Sequence, residues 1–542
     1  MSGRLSAPDL IELVLDDGSY RTWDEPLRPA GDADVAAARQ RTGLDEAVIT
    51  GEGLLRGRRV AVVACEFAFL AGSIGVAAAE RLVTAVERAT AQRLPLLAAP
   101  ASAGTRMQEG AMAFLQMVKM TAAVTRHKAA GLPYLVYLRD PTFGGVLASW
   151  ASLGHITAAE PGAMIGFLGP RVYRALHGQP FPEGVQVAES LHRHGLIDAV
   201  LPVQNLAEAA DRALRVLLAP PPQPEAVHPP QEPFPDVPAW ESITISRRGD
   251  RPGVRQVLRY AASDVLLLNG TGAGETDPAL LLALARFGGV SCVLLGQDRR
   301  HQEDVRPLGP AALRVARRGM RLASELGLPL VTVIDTPGAD LSPEAERGGL
   351  AGEIARCLAD LVDLDTPTLS LLLGQGSGGA ALALIPCDRV LVAQHGWLSP
   401  LPPEGASAIV HRDVEHAQQI AAAQRVRSAD LLAGGIADRI VTEHPDAAEE
   451  PQAFCRRVGR ELERELAVLL HVRRPDLLTA RLRRYRLLGS ADDPRHADPR
   501  HAEPRHAEPR RSEPRRSETR HAEPRHSTTA TAPGTAVGDA VA

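Results

Sequence analysis

One strand, glycine-turn, helix device occurs twice in this chain, and that recurrence restricts the possible folds more than any other feature. In the second copy, residues 366–384 (TPTLSLLLGQGSGGAALAL), an apolar run at 369–373 opened by Thr-Pro predicts a buried strand. It breaks at Gly374-Gln375-Gly376-Ser377-Gly378-Gly379, and small residues then open a helix. In the first copy, residues 132–147 give a strand and then Gly144-Gly145, with a small-residue helix start at 148–152. The flanks match too. Leu94-Pro95 with Ser102-Ala103-Gly104-Thr105 parallels Leu328-Pro329 with Asp335-Thr336-Pro337-Gly338. Gly195-Leu196-Ile197-Asp198 likewise parallels Gly435-Ile436-Ala437-Asp438. The pattern implies internal duplication of one α/β unit.

Such turns carry chemistry without side chains. Glycines let the backbone approach a ligand, and the first amides of the following helix lack intrahelical acceptors, so they point outward at the positive end of a helix dipole. Each turn is therefore a candidate oxyanion pocket, and paired pockets invite a site between them.

A chain of 542 residues, 45% hydrophobic, has ample length for two cored domains. The reading places them at residues 1–219 and 241–489, joined by a proline-rich linker at 220–240 that is too poorly patterned for a core. Residues 490–542 repeat Pro-Arg-His-Ala-Glu-like steps with too few apolar residues to offset ordering entropy, so a disordered tail is expected. A formal charge of −5 suggests no nucleic-acid binder. Five scattered cysteines make a disulfide framework or zinc site improbable and fit a reducing cytosol. No apolar run reaches membrane-spanning length, and the N-terminus lacks the order of a secretion signal, so a cytoplasmic location is expected.

Along the chain, 48–64 reads as a hairpin, 76–92 as a helix, and 106–130 as a long helix ended by Gly131 and Pro133. The helix methionines, Met107, Met112, Met117 and Met120, read as core or helix-contact residues. Lys119 stands in a Met-Val-Lys-Met sequence like a biotin acceptor, but mid-helix; any biotin must arrive on another protein. Arg299 and Arg300, after the strand at 290–295, are candidates for a phosphate site or a solvated turn. Residues 310–326 form a basic helix whose Arg314, Arg317, Arg318 and Arg321 are in part simply solvated. His155, His411 and His416 lack a catalytic partner pattern and read as surface or structural residues.

Residues 102–109, 140–146 and 159–171 resemble the β subunit of the bacterial acetyl-CoA carboxylase carboxyltransferase. Residues 334–339, 345–348, 374–384 and 399–406 resemble its α subunit. The likeness runs over residues 5 to 490 in β-then-α order, as in a fused carboxyltransferase. It departs from the family at Ala103-Gly104-Thr105, in the missing zinc ribbon, and in the spacing of the second glycine string.

The resemblance implies two crotonase-like (ClpP/crotonase) α/β domains. It also implies transfer of a carboxyl group from carboxybiotin, held on a separate biotin carboxyl carrier protein, to acetyl-CoA. The product is malonyl-CoA for fatty-acid synthesis. Biotin carboxylase is the expected further partner, a homodimer of the fused chain the expected assembly, and no metal is expected. In that mechanism two oxyanions need stabilising, and the cofactor carries the difficult chemistry. The Gly144 and Gly145 amides would serve one oxyanion. Gly379 and Ala380 would serve the other, or the donors would fall one residue later. Ser102, Gly104, Arg106, Gly338 and Gly378 are the implied substrate-binding positions. A malonyl-thioester decarboxylase of the same fold and a non-catalytic scaffold are the alternatives.

Overall fold

The computed structural model describes residues 4–27, 33–220, 222–223, 230–304 and 307–490. The expected tail beyond Ser490 and part of the expected linker lie outside these residues. The first half holds β1 (Arg21–Thr22), β2 (Val48–Leu55), β3 (Arg58–Cys65), β4 (Leu96–Ala99), β5 (Tyr134–Leu138), β6 (Thr142–Phe143), β7 (Ile156–Ala159), β8 (Ile165–Gly166) and β9 (Ala199–Val200). Seven of these form a sheet in the order β1-β2-β3-β4-β5-β7-β9, antiparallel to β3 and parallel from there, while β6 pairs with β8 alone.

The second half repeats the plan with β10 (Ala262–Leu268), β11 (Leu280–Phe287), β12 (Val290–Gln297), β13 (Leu330–Thr336), β14 (Thr368–Ser377), β15 (Arg389–Ala393), β16 (Trp397–Ser399) and β17 (Arg439–Val441). Its order is β10-β11-β12-β13-β14-β15-β17, with β16 paired to β14. Parallel strands are covered on both faces by their crossover helices, which is why β5 and β14 are buried at every residue and read as continuous apolar runs.

The duplication is kept in register. Parallel bridges join Ile74 to Thr105 and Leu308 to Ala339, and others join Ser102 to Thr142 and Thr336 to Gly376. Left-handed glycines stand at 144 and 378, so each pair is 234 residues apart (308 less 74, 336 less 102, 378 less 144). The halves nevertheless share one core. Leu97, Leu135 and Tyr137 of the first sheet cluster with Leu282, Leu284 and Val293 of the second, around the buried face of helix Leu206–Leu217. Through Ser490 the described chain belongs to one compact unit.

Three local expectations are corrected. The glycine string does not break the strand at Gly374, because β14 continues to Ser377 and pairs with Thr336 and with β16. Gly374 is tolerated mid-strand because a Cβ there would sit 2.6 Å from the Asp335 carboxylate. On helix Gly110–Ala129, Met117 and Met120 are buried, but Met112 is 65% exposed and Met107, in the single turn before the helix, 82%, so half of these methionines face outward. Arg299 is buried and donates to the carbonyls of Ser246 and Arg248, which rules it out of a phosphate site in this arrangement. Arg314, Arg317 and Arg318 each pair with carboxylates.

His155 sits at the junction of the halves. Its Nδ1 accepts from the Tyr134 N–H at 3.0 Å, and its Nε2 lies 3.5 Å from Glu325 of helix Pro310–Leu326. Burial, with Lys128 and His127 nearby, pushes its pKa down to about 3, so the ring is neutral and the Glu325 contact is not an ion pair at neutral pH. A folded pKa below the unfolded 6.5 gives stability that is complete above 6.5 and lost as pH falls toward 3. In urea titrations, His155→Gln should flatten the decline in unfolding free energy between pH 6.5 and 4; an unchanged slope would remove His155 as the cause.

Candidate active site

Each glycine turn begins with an extended residue followed by a left-handed glycine. Phe143 (φ −131°) precedes Gly144 (φ +63°), and Ser377 (φ −111°) precedes Gly378 (φ +66°). That reversal swings the chain from sheet to helix in one residue, a conformation side chains resist. The helices that follow, Gly144–Leu147 and Gly378–Leu382, are single turns. Among the described residues, no acceptor faces the N–H groups of Gly145, Gly379 or Ala380. Gly379 and Ala380 are the second and third residues of their helix, and Ala381 is the first whose N–H bonds within it.

Beside each turn lies a hydroxyl-closed loop. In the first half, the Gly104 N–H donates to Ser102 Oγ at 3.0 Å; in the second, the Gly338 N–H donates to Thr336 Oγ1 at 3.1 Å. Gly104 (φ +111°) faces its turn so closely that an added Cβ would stand 3.5 Å from the Gly145 nitrogen. Ser102, Gly104, Gly144 and Gly145 thus meet in one cluster, tied by Phe143 N–H to Ser102 O at 2.8 Å. Gly378, Gly379 and Ala380 form a second, joined to the Thr336–Gly338 loop through the Thr336 and Gly376 pairing. Among the described residues, no hydrogen bond links one cluster to the other.

Two residues depart from their expected parts. The Gly144 N–H already donates to Phe167 O at 3.1 Å, so Gly145 supplies the open donor of that turn. The Arg106 guanidinium is buried rather than turned to the cleft. It pairs with Glu46 through both terminal nitrogens, reaches Glu109 at 3.2 Å, and donates to Ser73 O at 2.9 Å. These partners hold its pKa up against burial. Arg106 therefore ties Glu46, Ser73 and Glu109 together two residues on from Gly104.

The histidines offer no nucleophile relay. His416 has a partner that sequence spacing did not reveal, Asp413 at 2.7 Å, but Ser407 Oγ bonds Asp413 rather than the ring. The five cysteines are free and buried, and burial pushes the Cys65 thiol up to about 12. No group of three or more metal-ligating side chains occurs among the described residues. What the site offers is backbone N–H donors fixed in space, suited to negative charge developing on oxygen.

Comparison with known proteins gives this arrangement its class. The family model described as carboxyl transferase domain matches residues 1–474. The chain is 61% identical over 496 residues to the probable biotin-dependent acyl-coenzyme A carboxylase beta3 subunit of Mycobacterium tuberculosis, covering 90% of this chain and 100% of that one. It is 37% identical over 519 residues to the acetyl-coenzyme A carboxylase carboxyl transferase subunits beta/alpha of Salinispora tropica, covering 90% and 91%. Transcarboxylase 12S, solved with methylmalonyl-coenzyme A and methylmalonic acid bound, shares the fold at a TM-score of 0.68 and 20% identity, over 86% of this chain and 90% of that one. The chain belongs to the carboxyl transferase domain family. Within it, the chain falls among the carboxyltransferases of biotin-dependent acyl-CoA carboxylases, and the crotonase-like expectation for the fold holds.

Arg106→Met tests the role of that tie. Removing one partner of a buried pair strands the Glu46 carboxylate and should cost about 3–5 kcal/mol, seen as a lower unfolding midpoint. A variant of unchanged midpoint would show that the guanidinium is not structural.

Proposed function

We propose that this chain is the carboxyltransferase component of an acetyl-CoA carboxylase, moving a carboxyl group from carboxybiotin on a separate carrier protein to acetyl-CoA to give malonyl-CoA. One observation carries the reading: open backbone donors at Gly145 and at Gly379 and Ala380, at positions 234 residues apart (379 less 145) in two copies of one unit. A reaction that develops charge on two oxygens, one on each reactant, calls for two such pockets. The bound cofactor supplies the carboxyl group and the base for the acyl α-proton; this chain's amides hold the two oxygens. Acetyl-CoA as acceptor is supported by the names of the relatives near 37% identity. The name of the 61% relative specifies no acyl chain.

The partners follow from the same chemistry. Lys119 lies mid-helix and within 2.5 Å of Glu80, unlike an acceptor lysine at an exposed tip, so a biotinyl carrier and the biotin carboxylase that charges it are separate chains. A second copy of this chain is the proposed cover for the exposed apolar side chains near both turns. Met112, Phe114 and Val118 are exposed on the helix whose Met117 packs on Gly145, and Leu382 is exposed on the helix that Gly378 opens. Monomeric proteins rarely leave large contiguous apolar surface open. Sedimentation of the active species checks this, and a fully active monomer would exclude an inter-subunit site.

Two experiments test the reaction. Given malonyl-CoA, purified chain should release carbon dioxide only when free biotin is added. Turnover without biotin would favour the decarboxylase, and none under either condition the scaffold.

In the second experiment, Gly145→Val and Gly379→Val should each cut turnover by about 10²–10³, the usual cost of losing an oxyanion donor. An added Cβ at 379 meets only the flexible end of Ile354, at 2.7 Å, whereas at 145 it meets Thr105 Oγ1 at 3.0 Å and Met117 Sδ at 3.3 Å. Gly379→Val is thus the cleaner variant, read on protein of near-normal unfolding midpoint and acyl-CoA affinity. Retention of half the turnover by both folded variants would exclude the two-pocket mechanism.

A further inference from the structure

The helix Gly378–Leu382 is one turn long and has too few internal hydrogen bonds to hold its own geometry. In the first half, the equivalent turn is held by backbone: Thr142 N–H donates to Met164 O at 2.9 Å and Gly144 N–H to Phe167 O at 3.1 Å. The second half has no such partner for Gly378 among the described residues; the neighbouring segment runs through Pro400, Pro402 and Pro403. Pairing of Gly376 and Ser377 with Leu398 and Ser399 of β16 holds the strand side of the turn, and a side chain holds the helix side.

That group stands at the end of β12. Gln297 is fully buried, its Nε2 donates to the Ala380 carbonyl at 2.8 Å, and its Oε1 accepts from the Asp335 N–H at 3.1 Å. One carboxamide thus ties the short helix to the end of β13. Its orientation is dictated, since a flipped amide would oppose acceptor to acceptor and donor to donor. Asp335 extends the tie: its Oδ1 accepts from the Gln375 N–H at 3.0 Å, beside the missing Cβ of Gly374. Gln302 completes it, donating to Asp335 O at 3.3 Å and accepting from Thr336 Oγ1 at 2.6 Å.

Packing alone does not ask for this network. Val63 pairs with Ala98 and Leu295 with Thr332, where 98 and 332 are equivalent, so two residues on Cys65 is the counterpart of Gln297. The first half fills the same place with a buried thiol. That thiol meets the Ala101 N–H, the counterpart of the Asp335 N–H, but among the described residues it sends no bond to helix Gly144–Leu147, so the tie from strand to short helix is what the second half adds.

We propose that Gln297 is a positioning residue for the reaction, aiming the Gly379 and Ala380 N–H groups by holding the Ala380 carbonyl against β13. The inference rests on the oxyanion role given to those amides above. Gln297→Met keeps the volume and removes both bonds; Gln297→Leu removes both with a smaller apolar side chain. Thr368→Val is the matched control. It deletes two half-buried hydrogen bonds at the far end of β14, one donated by Thr368 Oγ1 to Asp388 Oδ2 and one accepted from the Asp388 N–H, each at 2.9 Å.

Biotin-dependent malonyl-CoA turnover is measured with amide exchange of a peptide covering residues 374–384. Both Gln297 variants should lose about tenfold in kcat, part of the 10²–10³ cost of deleting a donor outright, with KM for malonyl-CoA within about twofold. Exchange should quicken in that peptide for both, and Thr368→Val should change neither kcat nor exchange there.

The inference is overturned if a folded Gln297 variant keeps more than half its kcat, if the loss lies wholly in KM, or if Thr368→Val loses as much. Should Gln297→Met fail to fold, Gln297→Leu decides by the same criteria. Absence of biotin-dependent turnover in the unaltered chain would sink the functional reading alone. Exchange would then still decide the brace, and unchanged exchange in both variants would overturn it.

Discussion

The structure turns on a backbone constraint met twice: a strand, extended to its last residue, must pass into a helix through one left-handed residue. Only glycine adopts that geometry without strain, and it is found at 144 and 378. Everything nearby serves this reversal. The following helices stay one turn long, their first amides stay open, and the small loops closed by Ser102 and Thr336 pack alongside. An electrostatic site made this way is rigid before any ligand arrives and requires little reorganisation when charge develops.

Equivalent turns need not be braced by equivalent means. The first leans on backbone from β8 and its following loop and, at one remove, on the buried pair of Arg106 and Glu46. Nearby, Leu70 and Ala71 adopt left-handed conformations (φ +46° and +54°), and Ala71 O accepts from the Ala103 N–H at 2.9 Å, so local strain also supports the Ser102 loop. The second turn leans on the backbone of β16 and, on its helix side, on the side chains of Gln297, Asp335, Gln302 and Thr336. Burial pushes the Asp335 carboxyl above its ordinary pKa, and the charge of Arg299 and the Gln375 N–H oppose that rise. Duplication preserved the reversal and let its supports diverge.

Sequence periodicity made the repeated features legible. The hairpin at 48–64, the helix at 76–92, the basic helix at 310–326 and both glycine turns stand where their patterns place them, because patterning and glycine chemistry are local. What failed was non-local. Gly374 and Gly376 look like a strand end, but they lie in β14 where the Asp335 carboxylate and the Trp397 carbonyl with the Leu372 and Leu398 side chains occupy the space a side chain would need. Met107 and Met112 look like core, since a stripe shows that a face is apolar without showing whether this chain covers it. Arg106 carries the charge of a ligand contact, and only the buried Glu46 opposite, 60 positions earlier, shows it to be a brace. Gln297, a lone glutamine at a strand end, belongs to no motif at all.

The last helix shows how far the folded body extends. In the first half Asp198 latches the sheet edge: its N–H donates to Thr157 O at 2.7 Å, its Oδ2 accepts from the Thr157 N–H at 2.9 Å, and Arg318 of the other half approaches Oδ1 at 2.8 Å. Asp438 repeats the latch on Val390 at 2.8 and 2.7 Å, but its arginine, Arg484 at 2.6 Å, comes from helix Arg474–Leu487. The C-terminal helix thus does for the second sheet what the second half does for the first. On the same helix Arg481 is buried, forked onto Asp388 at 2.9 and 2.8 Å, and donates to the carbonyls of Leu361, Leu364 and Thr366. A guanidinium is tolerated in such a place only when its donors are satisfied and its charge is paired. Most of this helix lies past residue 474, where the family model ends, yet its arginines complete the second sheet. Its place in the folded body rests on hydrogen bonds and buried charge, and the match to the 61% relative, over 90% of this chain, reaches into it.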